Sequence, residues 1–281
     1  MLILKQSSDI FMKKILKKLK LPAKIITTLI KDRIQYPSRL VVDTLGIISR
    51  CVVLIFLYWS VFKLNNGTIN GTTFIFVAWS IFFYFAFSVL HLRDIARLMM
   101  QDIQTGNVEI LLSKPVSYLS YKMWWQFGAG LYSFLIITIL GTIVLGLTVG
   151  FPATMGIGIF IPTLILTIVC GIILSLYLYT IIGLLAFWIQ DVLPVFWIVD
   201  KAVMILGGSY LPIALFPPLM KKIALYTPFG ASQFITHTIY ETWQTDWYQL
   251  VGIQLFWIFL FGVFVYFMFK KAKQKVSVNG G

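Results

Sequence analysis

Six stretches of this chain are apolar over a length that can cross a bilayer, and this constrains the fold more than any motif does. A hydrocarbon core of about 30 Å takes roughly 20 residues of helix. The stretches run from Val41 to Phe62, Thr73 to Leu90, Trp124 to Val149, Gly156 to Trp188, Val192 to Leu211 and Tyr248 to Phe269. Hydrophobic residues make up 59% of the chain and charged ones 12%, whereas soluble domains carry about 45–50% and 25%. Water leaves such a surface nowhere to hide, and lipid accepts it. The expectation is an all-α integral membrane protein with six transmembrane helices in a single domain over residues 1–281. The fourth stretch, 33 residues long, would measure about 49 Å as one helix. It must tilt or project, and Pro162 near its start is a candidate kink.

The formal net charge is +13, but the basic residues lie outside the apolar runs. Eighteen lysines and arginines precede the first span, occupy the loop between the second and third, or follow the last; three (Lys63, Lys221 and Lys222) lie on the other side. The positive-inside rule then puts both termini in the cytoplasm, and an even number of spans agrees. Trp59, Trp243 and Trp247 fall near outer span ends and Trp124, Trp125 and Trp188 near inner ones, the level that amphipathic rings prefer. The distribution suits anionic lipid headgroups and gives no basic stripe interleaved with aromatics for nucleic acid. Cys51 and Cys170 sit inside apolar runs and read as packing residues, not as a disulfide framework. The N-terminal residues show no short apolar run with a small-residue cleavage site, so no cleaved signal peptide is expected.

Three regions do not span. Residues 10–36 place Phe11, Ile15, Leu16 and Leu19, and beyond Pro22 also Ile25, Ile26, Leu29 and Ile30, at helical spacing opposite lysines. This predicts an amphipathic helix on the inner leaflet. Residues 91–122 form a cytoplasmic loop. Residues 212–247 are apolar, yet Pro212, Pro217, Pro218 and Pro228 forbid one straight helix. Irregular backbone at membrane depth must be covered by protein or line a cavity, so a broken or re-entrant outer element is expected. Asn66-Gly67-Thr68 and Asn70-Gly71-Thr72 match glycosylation sequons, but they read as a turn.

No G-x-x-x-x-G-K-[ST] phosphate loop and no H-E-x-x-H occurs, and His91 and His237 fall on opposite faces, where they cannot share a metal. No catalytic site and no cofactor is expected in the chain. The ionisable residues in or beside spans are Asp43, Arg50, Asp191, Asp200 and Lys201. Such residues are functional candidates in membranes, while pairing, for example Arg50 with Asp200, is the structural reading.

Three segments carry a resemblance. One is Lys31-Asp32-Arg33-Ile34-Gln35-Tyr36-Pro37 before the first span. A second runs from Ile103 to Pro115 and follows the pattern I-x-x-G-x-x-x-x-L-L-x-[KR]-P. A third runs from Gly208 to Pro217 as G-x-x-x-P-[IL]-x-x-F-P, followed by Pro228-Phe229, with Ile213 where leucine is usual. Together they resemble the type-2 ABC exporter permeases, in the branch with paired permeases beside a separate ATPase. The resemblance implies a multi-pass protein of a bacterial cell membrane that moves substrate outward along a dimer interface. Its partners would be a second permease, the same or homologous, and an ATPase holding ATP and Mg. The first cytoplasmic loop would be a coupling helix. Gly106 would supply a turn, Asn107 the N-cap and Glu109 first-turn charge; Ile110 and Leu111 would enter the ATPase cleft, flanked by Leu112, Lys114 and the stop Pro115. Pro212, Phe216, Pro217, Pro228 and Phe229 would form the outer gate. An amphipathic loop helix lying on lipid is the plain alternative for the coupling segment.

Two other function classes stand beside this one. A secondary transporter or channel would need no ATPase and would show inverted repeats or mid-membrane ion ligands. A membrane enzyme would need clustered carboxylates, histidines or a nucleophile with its base. The second span is rich in aromatics such as Phe82, Phe83 and Phe85, which suit an amphipathic cargo and lipid-facing packing about equally.

Overall fold

The computed structural model describes the backbone of residues 20–35 and 37–279, and side chains over residues 20–35 and 45–275. Of the expected amphipathic helix, residues 10–19 and residue 36 lie outside the described residues. The rest is helical over residues 20–35, here α1. Ile25 and Leu29 are its buried positions, with Ile26 and Ile30 half-buried beside them, so one apolar stripe faces the protein. It seats where a Cβ on Gly128 would meet Leu29 Cδ1 at 3.0 Å and Ile26 Cα at 3.3 Å.

Helix α2 (Pro37–Leu64) runs to a hairpin of two short strands, β1 (Thr68–Ile69) and β2 (Thr72–Thr73). Asn70 and Gly71 turn it with φ of +50° and +74°, the doubly left-handed geometry of a type I′ turn. Helix α3 (Phe74–Ser88) returns and continues, past a joint at Leu92–Asp94, as α4 (Ile95–Gln104). Short α5 (Asn107–Leu112) follows, then α6 (Tyr118–Thr148), α7 (Phe160–Leu185) and α8 (Leu193–Leu206). After a broken stretch containing α9 (Pro218–Tyr226) and α10 (Pro228–Ala231), α11 (Trp243–Asn279) closes the chain. The long helices alternate in direction between a hairpin end and an α5 end.

Among the described residues, five helices are long and apolar enough to cross a membrane: Leu45–Leu64, Phe74–Gln104, Tyr118–Thr148, Phe160–Leu185 and Trp243–Lys275. The expected sixth, from Val192 to Leu211, is not among them. It holds only α8, whose 14 residues give about 21 Å of helix. Gly207 follows α8 directly, where a Cβ would lie 2.6 Å from Val203 O and 2.5 Å from Gln233 Cγ. Gly208 then takes φ +84° and turns the chain away. Helix α7 runs unbroken through Pro162, the candidate kink. That residue lies in the first turn of α7, where its missing N–H has no intrahelical partner to lose.

Helices α3 and α7 make the centre. Every residue of α3 from Val77 to Phe87 is buried, as suits a helix apolar on all sides. Helices α2, α6 and α11 keep wide apolar faces exposed, for example Val52, Leu140 and Phe259, which lipid or a partner of like polarity can cover. The buried Trp79 has its polar handle satisfied: Nε1 donates to Gly150 O at 2.8 Å. Trp243, expected at the headgroup level, is instead 2% exposed and donates Nε1–H to Thr163 Oγ1 at 3.0 Å.

Candidate functional site

The loop at the α5 end is braced on both sides. Lys122 Nζ lies 2.6 Å from Asp102 Oδ2, and the Tyr118 hydroxyl donates to the same oxygen at 2.9 Å. Asp102 belongs to α4 and the other two to α6, so α5 hangs between two clamped helices. Gly106, at φ +75°, makes the turn into α5, a backbone region that side chains disfavour. It is also the N-cap residue. Asn107, expected in that role, is the first helical residue, and no side chain caps the helix. Glu109 is in the first turn and α5 ends at Leu112, three residues before Pro115.

The apolar residues of α5 divide their work. Val108 is 3% exposed and anchors the helix, while Ile110 is 62% exposed. Leu111 and Leu112 are half-buried against the main core, so Leu111 does not stand free beside Ile110 as expected. Glu109, Lys114 and Pro115 are exposed around it.

The second feature is the polar centre of the bundle. Asp200 of α8 is 2% exposed. Arg93, from the joint between α3 and α4, donates Nη1–H to Asp200 Oδ2 at 3.1 Å and to Oδ1 at 3.2 Å. Tyr179 of α7 donates its hydroxyl to Oδ1 at 3.2 Å, and Lys201 Nζ stands 4.0 Å from Oδ2. The expected Arg50–Asp200 pair is therefore corrected. Arg50 lines the same cavity, of about 80 Å³, but Arg93 reaches the carboxylate. The cause is local: His91 takes φ +51°, ψ +30°, which breaks the helix and re-aims the next turn. Gln126 Nε2 donates to His91 O at 2.8 Å and holds the break.

The third feature is the broken stretch after α8. Its prolines start elements and do not interrupt them. Pro212 and Pro217 precede a 3-10 turn and α9, while Pro218 and Pro228 are first residues of α9 and α10, positions where a missing N–H costs nothing. The stretch folds back between the long helices. Gln254 Nε2 donates to Ala231 O at 2.9 Å, eleven residues along α11 from Trp243, which is about 16 Å of helix. A Cβ on Gly171 of α7 would lie 3.0 Å from Ser232 O, and Ser80 Oγ of α3 donates to Thr236 O at 3.2 Å. Phe216 and Pro228 are buried in this stretch and Phe229 packs on the main core.

With these features in place, the comparisons decide the family. A family model described as ABC-2 family transporter protein matches residues 50–280. The chain belongs to the ABC-2 transporter family. No curated protein matches the chain. As an ABC-2 type permease it is an integral membrane protein, and ATPase partnership is the context the family implies.

Within this permease the structure adds residues that sequence reasoning missed. Arg93, Tyr179, Asp102, Tyr118 and Lys122 hold the polar centre and the α5 brace. Arg93 was visible only as loop charge, because nothing in its neighbours announces the left-handed residue at His91. The Asp102–Lys122 pair spans a loop, and no fixed spacing signals it.

Proposed function

We propose that this ABC-2 permease is the membrane subunit of an exporter, passing substrate outward along an interface between two permeases. ATP, with its Mg, is hydrolysed on a separate ATPase subunit. The α5 end and both termini face the cytoplasm, where the basic residues gather, and the hairpin end faces out. The observation that carries the reading is Ile110. A large apolar side chain is presented to water on a short helix whose two flanks are locked by the Asp102–Lys122–Tyr118 cluster. A nucleotide-driven shift of a docked partner would thereby move α4 and α6 together, and with them the spans they extend. The broken stretch from Pro212 to Phe229, seated between the spans at the opposite end, would then be the element that parts to release substrate.

The test is co-purification of the permease with its ATPase. Truncating an interface anchor commonly costs about 2 kcal/mol, roughly thirtyfold in affinity. Ile110→Asp adds the desolvation of a charge, so the complex should be lost while membrane insertion and thermal stability stay as in the wild type. Gln244→Glu, exposed at the other end, should leave the complex intact. Equal recovery of ATPase with Ile110→Asp and wild type would show that α5 is not the docking element.

A further inference from the structure

Three cavities meet at one side chain. Phe85 of α3 is a wall of the Asp200 cavity, of an adjoining cavity of about 280 Å³ and of a groove of about 860 Å³ between α2, α3 and α6. Arg50 lines the first two and has no carboxylate partner among the described residues. Among the described residues that line the first cavity, Arg50 and Arg93 are two cations set against one carboxylate, Asp200. Ser175 and Gln233 line the first cavity, and the Ser175 hydroxyl and the Gln233 side-chain oxygen are without hydrogen-bond partners, on residues 3% and 7% exposed. Buried polar atoms left unpaired are costly, so a polar guest that bonded to them would relieve that cost. The groove is of the opposite character, walled by Val52, Ile55, Leu140 and Val144.

We propose that this composite site binds an anionic amphiphile whose head carries a hydroxyl. The phosphate or carboxylate lies against Arg50 and accepts from Ser175. The head hydroxyl donates to the Gln233 oxygen, and an alkyl tail passes Phe85 into the groove. A positive wall draws in the head, and burial of the tail adds apolar area removed from water. That the amphiphile is cargo rests on the permease reading; its binding does not.

The experiment uses the full chain, without ATPase, in nanodiscs of phosphatidylcholine. Equilibrium binding is measured for tetradecanoyl glycerol phosphate, for glycerol phosphate without a tail and for tetradecanoyl glycerol without a charge, with empty discs subtracted. The charged, tailed probe should bind saturably and at least tenfold more tightly than either of the others. Arg50→Gln should remove about tenfold of that preference for charge, and Arg50→Lys should restore it. Val144→Trp, at a position 61% exposed, should weaken the tailed probe alone. Thermal midpoints equal to wild type would show that these variants are folded. Equal affinity with and without the tail would mean a site for small anions. Equal affinity with and without the charge would mean lipid solvation only. Either result, or an unchanged charge preference in Arg50→Gln, overturns the proposal. Failure to recover an ATPase complex would sink the ATPase-driven exporter reading and leave this binding result untouched.

Discussion

Asp200 shows how a residue costly in a membrane is kept. At a helix centre an aspartate costs about 2.5–3.5 kcal/mol on insertion scales, and here the bonds from Arg93 and Tyr179 offset it. Asp200→Asn removes the charge but leaves Arg93 without its counter-ion. Because the Arg93 side chain is 40% exposed, water takes up part of the loss, and the expected destabilisation is about 1–2 kcal/mol. Thermal unfolding in one detergent measures it. The double variant Arg93→Gln, Asp200→Asn should lose less than the two single losses added, since partners in one pair are not independent. Additive losses would show that the bond contributes nothing. The sequence exposes Asp200 as a candidate because its neighbours are apolar. It does not expose the partner, since Arg50 and Arg93 are both plausible until the backbone at His91 is known.

Among the elements, α6 comes close to the chain just after α3. A Cβ on Gly130 would lie 2.6 Å from Leu90 Cα and press on the Leu90 carbonyl. These are backbone atoms and cannot rotate away. Two effects oppose one another in Gly130→Ala. Helix propensity favours alanine by about 1 kcal/mol, while overpacking costs about 1–3 kcal/mol. Against rigid backbone the upper part of that range applies, so a net loss of about 1–2 kcal/mol is expected. Gly156→Ala, with no atom within 4 Å of its Cβ, should stay within about 0.5 kcal/mol of wild type. Unfolding midpoints of the two variants, side by side, check both; a stabilised Gly130→Ala would show that α6 can shift away at no cost. The α5 helix carries the same lesson. Its turn at Gly106 and its stop before Pro115 were legible as local chemistry. Its division into anchoring Val108 and presented Ile110 depends on which side the core lies.

For the whole molecule, orientation is the property to be measured. Cys51 and Cys170 are buried, so the native thiols give little background for labelling. Ser117→Cys at the α5 end should resist a membrane-impermeant thiol reagent in sealed, right-side-out cells, and Thr242→Cys at the hairpin end should react. The reverse pattern would invert the protein and place α5 beyond reach of a cytoplasmic ATPase. The membrane class, the presence of long apolar helices, a turn within residues 66–72 and the breaks at the four prolines were determined by the sequence alone. Each follows from what a residue or its near neighbours can do: hydrophobic length against bilayer thickness, a missing N–H, a left-handed φ. The short α8, the burial of Trp243, the Arg93–Asp200 pair and the meeting of three cavities at Phe85 were decided only by tertiary structure. In each case the deciding atom comes from a residue distant in the chain. Gln233 leaves no room beside Gly207, Thr163 accepts from the indole, and Arg50 and Ser175 are set around one cavity by different helices. Local periodicity carries no information about such meetings, because they depend on how the helices pack.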